Sequence, residues 1–464
     1  MKSMKKNISP IINHRFKTFC RFLFLSPYAF VIYTLIYFVP KVSAADFFIH
    51  DGDRVVFLGD SITEQRLYTN FIEAYALTRH PQWKLAFRNA GWAGDTAFFR
   101  SRCHPDGGRL VGVEEAAQQP MIDKVIRRSL DRDVLALKPT VVTIDLGMND
   151  ISVRPDTDAY NAYVRCITKM VEVFQENGVR TALLTPQPVE NKRPDPDKDE
   201  KNLAMRKFAD GLKAIAVKSG IPYVDQLDPY LQILLRERVG NPDQFIGGGQ
   251  DGVHPGPTGH TIMAWSILKG LGATPLVSRA EIDAKSKIVV AADACNIENL
   301  KVSDCVVSFD RLDGALPLPI HPNAEPALKL APVLEDLDRY EIKVTNLPPG
   351  NYQLSIDGEP VATMLAEEWA KGRNLATTAG PITKQGQEIL KAIGDKNDLY
   401  FKRWRNVQLT PIPDWAQSPE LESRRAAEMA RLDQKIAESE AKIDKLRQPQ
   451  RHHFEFKIMV PLKQ

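Results

Sequence analysis

Three side chains able to act in series on a carbonyl are the first chemistry this sequence offers. Ser61 sits in Gly59-Asp60-Ser61-Ile62-Thr63, and Asp251 precedes His254 by three residues in Asp251-Gly252-Val253-His254-Pro255. Cleaving an ester needs a nucleophile, a base for its proton, a group that orients the base, and donors aimed at the developing oxyanion. In this set Ser61 supplies the hydroxyl. His254 accepts its proton and later hands it to the leaving alcohol, and Asp251 accepts from the other ring nitrogen and stabilises the imidazolium. Two more blocks supply donors: Asn89-Ala90-Gly91-Trp92-Ala93-Gly94-Asp95-Thr96 and Gly147-Met148-Asn149-Asp150. The Ser61 and Gly94 backbone N–H groups and the Asn149 side-chain amide are the candidate oxyanion donors. Gly94 is preferred to Gly91 because of its spacing to Asp95-Thr96. Asp60 and Asp150 read as turn residues that brace nearby amides.

Taken singly, Ser61 is an ordinary helix cap, His254 a loop residue and Asn149-Asp150 a turn. Their joint placement gives them weight. Arg54 to Leu58, Lys84 to Phe87, Val141 to Leu146, Thr181 to Leu184 and Ile221 to Asp225 are short apolar runs separated by helical stretches. Strands alternating with helices predict a parallel sheet covered on both faces. The clearest helix begins near Asp156 or Thr157, carries Tyr160, Val164, Ile167, Val171 and Phe174 on one face, and stops at Asn177-Gly178. In such a sheet the loops at the carboxyl ends of the strands form the ligand crevice. Ser61, Gly94 and Asn149 each follow a predicted strand, while Asp251 and His254 lie on a loop after the last one.

The four blocks, in this order, resemble those of the SGNH, or GDSL-type, hydrolase family. The likeness runs from about Asp51 to Gly272, and past Pro275 the motifs are too diffuse to assign a role. It implies a flavodoxin-like three-layer α/β/α hydrolase domain. It also implies the roles given above for Ser61, Gly94, Asn149 and His254, with Asp251 as the usual third member of the triad.

Two connections on the same rim are long: Asp95 to Pro139, with Phe98, Phe99, Arg100 and Arg102, and Pro186 to Asn202. Either is a surface insertion or a wall of the substrate pocket. On the second reading Phe98, Arg100 and Gln187 are the candidate substrate-binding residues.

The expected organisation is a signal peptide over 1–45, a hydrolase domain over 46–275, a β-rich domain over 285–365, a helical region over 366–448 and a last strand over 452–464. Lys287 to Val290, Val306 to Phe309, Arg339 to Val344 and Asn351 to Ile356 look like strands of one antiparallel sheet, with Asp357-Gly358 turning a hairpin into Pro360 to Met364. A long polar helix follows Ser418-Pro419, its apolar residues Met429, Leu432, Ile436, Ile443 and Leu446 facing a neighbouring helix rather than a second chain. Phe454, Phe456 and Ile458 alternate with Glu455 and Lys457, as in a strand. It is expected to return to the β unit and close its edge, making the helical region an insertion.

A chain of 464 residues with 43% apolar and 26% charged residues can bury a proper core, and a formal charge of +3 over that length lacks the concentrated basic face of a nucleic-acid binder. Lys2, Lys5, Lys6, Arg15, Lys17 and Arg21 precede the apolar run Phe22 to Val39, and Val42-Ser43-Ala44 suits signal peptidase. This predicts export to the periplasm or the medium, with an uncleaved membrane anchor as the rival. Cys103, Cys166, Cys295 and Cys305 remain after cleavage. Cys166 reads as core, and Cys295 and Cys305 are close enough in sequence to pair. No Cys or His cluster has ligand spacing, so neither metal nor cofactor is implied. His104, His260 and Cys103 read as packing or surface residues.

The resulting expectation is a secreted serine esterase acting on acyl, above all acetyl, esters of a small molecule or polysaccharide, because the rim loops carry Arg100, Arg102, Asn191, Lys192 and Arg193 rather than an apolar lid. The alternatives are a lipase or thioesterase, a sugar O-acyltransferase, and a non-catalytic glycan-binding envelope protein. Oligomeric state is not legible in the sequence.

Overall fold

The computed structural model describes residues 46–102, 110, 113–151, 157–191, 195–240 and 244–461. The expected export signal, Cys103, His104, Lys192 and Arg193 therefore lie outside the described residues. β1 (Arg54–Gly59), β2 (Ala86–Gly91), β3 (Val141–Asp145), β4 (Arg180–Leu184) and β5 (Tyr223–Val224) form one sheet in the order β2-β1-β3-β4-β5, with every pair parallel. This is the flavodoxin-like order, in which the chain leaves β1 to one side for β2 and then crosses back to place β3 on the other. The switch point between β1 and β3 is where side chains from several loops converge.

Helices cover both faces, as the near-continuous apolar strands require: β3 is buried throughout and β1 from its second residue on. After a four-residue α1 (Ser61–Glu64) come α2 (Leu67–Arg79), α3 (Glu115–Asp133), the one-turn α4 (Met148–Ile151), α5 (Thr157–Glu176), α6 (Glu200–Ser219), α7 (Leu227–Arg238) and α8 (Pro257–Gly270). α3 packs on α5 and α5 on α6, whereas α2 packs on α8. The connection from Asp95 to Pro139 is thus not one long loop. Its second half is α3, which buries Ile122, Val125, Ile126 and Leu130 at helical spacing despite Pro120 and a charge-rich sequence. The connection after β4 is shorter than its sequence suggests as well. It holds a 3-10 turn (Pro196–Lys198), and Asp199 caps α6 by accepting from the Lys201 amide at 2.9 Å.

The C-terminal strands form two sheets rather than one. β6 (Leu276–Asp283), β7 (Ile288–Asp293), β8 (Cys295–Val302), β9 (Val306–Asp313), β10 (Arg339–Thr345), β11 (Gly350–Ile356), β12 (Glu359–Leu365), β13 (Arg373–Asn374) and β14 (Arg451–Pro461) divide as β13-β10-β6-β7 and β12-β11-β14-β9-β8. The first is mixed, since β10 runs parallel to β6. A buried polar pin joins the two: Arg311 on β9 donates to Asp313 at 2.8 Å, to Ser278 of β6 at 2.7 Å and to the Glu341 carbonyl of β10 at 3.2 Å. Asp357 and Gly358, at φ 52° and 81°, make the β11–β12 turn, which needs left-handed backbone at both central positions. β14 lies in the middle of its sheet, antiparallel to β11 and β9, not at an edge. Cys295 and Cys305 are both free thiols, so the pairing open in the sequence is not made.

Two short helices, α9 (Ala327–Leu330) and α10 (Val333–Leu337), and α11 (Ala366–Lys371) lie among these strands. α12 (Pro381–Phe401) packs against α2 and β2, and α13 (Pro419–Leu446) runs against α12 with Leu432, Ile436 and Ile443 buried. The contact with the parallel-sheet part is partly ionic and deep. Lys396 on α12 meets Glu73 of α2 at 2.5 Å with both side chains nearly inaccessible, and Asn397 adds a bond to Glu73 at 2.9 Å. All the described residues belong to one compact unit. No helix among them is long and apolar enough to cross a membrane.

Candidate active site

Ser61 is the first residue of α1, two positions past the end of β1. Asp60 caps that helix, its Oδ1 accepting from the Ile62 amide at 3.0 Å. The strand ends must press closely on α1. A Cβ on Gly59 would fall 2.0 Å from Thr63 Oγ1, and one on Gly91 would fall 2.3 Å from the Glu64 nitrogen. Only glycine fits at either place. This assigns Gly91 to packing at the end of β2, while Gly94 lies in the turn beyond it with φ 73°.

The three residues of the expected triad are in register. Ser61 Oγ lies 2.8 Å from His254 Nε2, and His254 Nδ1 lies 2.7 Å from Asp251 Oδ2. A carboxylate can only accept, so Nδ1 carries the proton and Nε2 is left to accept from the Ser61 hydroxyl. Burial pushes the Asp251 carboxyl up, but the His254 amide, the His254 ring and the Val253 amide outweigh it and hold the group down at about 2. It is a carboxylate throughout the range in which an imidazole titrates.

The loop that carries His254 is braced from the connection after β4. The Glu190 amide donates to the Gly252 carbonyl at 2.7 Å, and Glu190 Oε1 accepts from the Gly247 amide at 2.8 Å and from the Tyr230 hydroxyl at 2.7 Å. Gln187 belongs to this scaffold rather than to a pocket wall. It is 1% exposed and donates to the Val253 carbonyl at 2.9 Å, one residue before the imidazole. The other expected substrate contacts divide. Phe98 is 6% exposed and packs inside, so it offers no pocket wall. Arg100 remains at the rim, its Nη2 donating to the Gly94 carbonyl at 3.2 Å. Arg102 is not a rim residue at all: it is buried, paired with Asp95 at 2.6 Å and Asp133 at 3.3 Å, and donates to the Ala90 carbonyl at 3.0 Å.

Asn149 sits on α4 just past β3, and its side-chain nitrogen is 2.9 Å from the Asp95 carbonyl and 3.4 Å from Asp60 Oδ2. Those atoms belong to the chain neighbours of Gly94 and Ser61, so all three candidate donors meet at the switch point. Beside them lie two carboxyls, Asp60 buried and Asp150 half-buried. Burial pushes Asp60 up to about 7 against the Ile62 amide, with Asp95 adding to the rise. Burial likewise pushes Asp150 up to about 7 against the Ala97 amide, which donates to it at 3.1 Å. Both act as braces for backbone. His260 is also interior; burial pulls its imidazole down to about 3, and Nε2 meets Gln65 Oε1 at 2.7 Å.

Glu64, Trp92 and Arg405 also belong to this neighbourhood, and sequence reasoning missed them. Glu64 Oε2 accepts from the Ala93 amide at 2.7 Å and from Arg405 Nη1 at 2.8 Å. The acid directly follows the first block and Trp92 lies inside the second, which is a local signal. For Arg405, hundreds of residues downstream, there is none.

Residues 57–262 match the family described as GDSL-like Lipase/Acylhydrolase. Among solved structures, the chain is similar to one described as "BT4096 a gut microbial diltiazem-metabolizing enzyme", with 25% identity and a TM-score of 0.73 over 89% of this chain and 98% of that one. It is also similar to Axe2, an acetylxylan esterase from Geobacillus stearothermophilus (20% identity, TM-score 0.38, 48% of this chain and 96% of that one). A third is LAE5, an alpha/beta hydrolase enzyme from the metagenome of Lake Arreo, Spain (20%, 0.38, 49% and 98%). No curated protein matches the sequence.

Proposed function

We propose that this chain, an ester hydrolase whose residues 57–262 match the GDSL-like lipase/acylhydrolase family, is an exported serine esterase that cleaves short acyl esters, acetyl foremost, of polar alcohols such as carbohydrate hydroxyls. The observation that carries the reading is the unbroken relay from Ser61 Oγ through His254 to Asp251, at 2.8 and 2.7 Å.

In the proposed cycle His254 Nε2 takes the Ser61 proton as Oγ bonds to the acyl carbon. The carbonyl π pair moves onto oxygen, where the Ser61 and Gly94 amides and the Asn149 side chain receive it. Collapse expels the alcohol, which leaves with the proton from His254, and the acyl group remains on Ser61. Water then repeats the sequence, with His254 as base, and releases the acid. Asp251 stays ionised and holds the imidazolium.

Two features support hydrolysis of short esters. The His254 and Asp251 side chains are 36% and 56% exposed, which gives water access to the deacylation step and favours hydrolysis over transfer to a sugar. Among the described residues, none of the large hydrophobic side chains left exposed lies on the loops after β1, β2, β3 or β4 or on residues 244–256, so the described part of this rim offers no apolar lid for a long acyl chain. Export rests on the N-terminal sequence alone.

The test is a p-nitrophenyl ester series from acetyl to palmitoyl, followed by acetylated oligosaccharides. Diltiazem belongs in the panel because the similar enzyme is described by its action on it. kcat/KM is expected to fall by about tenfold or more between acetyl and octanoyl, since a rim without an exposed apolar lid gains little from added methylenes while still having to accommodate them. A value that climbs with chain length would replace this reading with a lipase-like one.

A further inference from the structure

The Gly94 turn is closed by the Asp95 amide, which donates to the Trp92 carbonyl at 3.1 Å, and the Trp92 amide ties it to the Gly59 carbonyl at 3.0 Å. Glycine at φ 73° has no side chain to fix the peptide that follows β2, and its N–H is useful as a donor only while that peptide keeps its orientation. Two further contacts hold the peptides on either side of Gly94. Arg100 Nη2 donates to the Gly94 carbonyl at 3.2 Å, from the turn's own loop. From the other side, the Ala93 amide donates to Glu64 Oε2 at 2.7 Å, which ties the turn to α1 and hence to Ser61.

Glu64 is in turn fixed from far along the chain. Past the end of α12 the helix widens into a π-helical segment, Lys402–Gln408, and Arg405 points from it into the hydrolase part. Its Nη1 donates to the same Glu64 Oε2 at 2.8 Å. Its guanidinium carbon lies 3.6 Å from the centroid of the Trp92 ring, and Trp404 meets Trp92 edge-on at 5.8 Å. The Arg405 and Glu64 side chains are only 19% and 21% exposed, so the pair is far less screened than a surface ion pair. The lever itself is anchored by the buried Lys396–Glu73 pair and by the Arg66–Asp398 pair at 3.1 Å.

We propose that Arg405 is a positioning residue for ester hydrolysis: the C-terminal segment reaches back to clamp the Trp92-Ala93-Gly94 turn onto the Ser61 helix, so that the Gly94 and Ser61 amides converge on one oxygen. The C-terminal region is then a working part of the active site, not an appended module. This rests on the esterase reading for its kinetic consequence, but the clamp itself is a structural statement. An oxyanion donor displaced by about 1 Å loses on the order of a hundredfold in rate, and the loss falls on the chemical step because the donor acts on charge that exists only in the transition state.

The experiment compares Arg405→Ala, Arg405→Lys and Glu64→Gln with the wild type, using p-nitrophenyl acetate and kcat per site titrated with a phosphonate ester, a count that excludes unfolded protein. Arg405→Ala is expected to lower kcat per site by roughly 10- to 100-fold while KM stays within about threefold. Arg405→Lys keeps the charge and loses the fork and the ring stacking, so it should fall between the two, and it carries the test if the alanine variant cannot be purified. Effects of Arg405→Ala and Glu64→Gln should be non-additive when combined, as for groups that act through one contact. Unchanged kcat per site in Arg405→Ala, or strict additivity, would overturn the proposal. Hydrogen exchange supplies a readout independent of turnover: amides 92–96 should exchange faster in Arg405→Ala, and identical protection would overturn the clamp. A wild-type protein inactive on every ester would instead remove the esterase reading, leaving the exchange result to decide the clamp.

Discussion

Ser61→Ala is expected to abolish ester hydrolysis, lowering kcat by roughly four to six orders of magnitude, while leaving thermal stability within about 2 °C of the wild type. The two halves of this expectation have separate causes. On the proposed reading the Ser61 hydroxyl forms the acyl bond, and it lies 2.8 Å from His254 Nε2. It contributes little to the fold, because α1 is capped by Asp60 through the Ile62 amide and the residue is only partly buried. Asp251→Asn gives a graded comparison. It leaves nucleophile and donors in place but replaces an obligate acceptor with an amide that can donate to Nδ1 and favour the wrong tautomer, so a drop on the order of 10²- to 10⁴-fold is expected. Steady-state assays of the purified proteins, beside calorimetric scans, check both. Turnover by Ser61→Ala near the wild-type rate would refute the assignment of the nucleophile.

Ending the chain after Gln448 is expected to destroy cooperative folding of the C-terminal region. β14 fills the centre of a five-stranded sheet, so its loss leaves β11 and β9 each with an unpaired edge. It also removes Phe454 and Phe456, both fully buried; Phe456 meets Trp369 edge-on at 4.9 Å and Phe454 stacks on Phe309 at 5.4 Å. Each phenylalanine alone corresponds to about 3–5 kcal/mol when cut to alanine, so the strand as a whole rivals the net stability of a typical domain, about 5–15 kcal/mol. Because α12 and α13 are docked on the hydrolase part, the damage should reach activity as well. Calorimetry and esterase assays of the truncated chain test this, and a melting temperature equal to that of the full chain would contradict it.

Much of the site was legible because its residues come in short blocks, each tied to a strand end. Ser61, Gly94 and Asn149 needed no long-range information beyond the alternation of strands and helices, and Asp251 and His254 lie on one loop. What escaped was what depends on distant partners. Arg102 reads as a surface cation until Asp95 and Asp133 are seen to enclose it. Gln187 reads as a rim residue until the Val253 carbonyl is found in front of its amide. α3 is hidden by Pro120 and by the charged residues of its exposed face. The division of the C-terminal strands into two sheets is set by which inner faces meet around Arg311, and period-two alternation does not record that. Arg405 is the extreme case: one arginine in a basic stretch, given meaning only by Glu64 and Trp92.

The most direct measurement is covalent capture of the nucleophile. The wild-type protein is incubated with a reactive phosphonate ester, its intact mass is determined, and the modified peptide is sequenced. A single adduct on Ser61 is expected, formed more slowly in Asp251→Asn and absent in Ser61→Ala, because formation needs the relay through His254 and donors for the phosphonyl oxygen. An active enzyme that takes up no adduct, or carries it on a residue other than Ser61, would contradict the account.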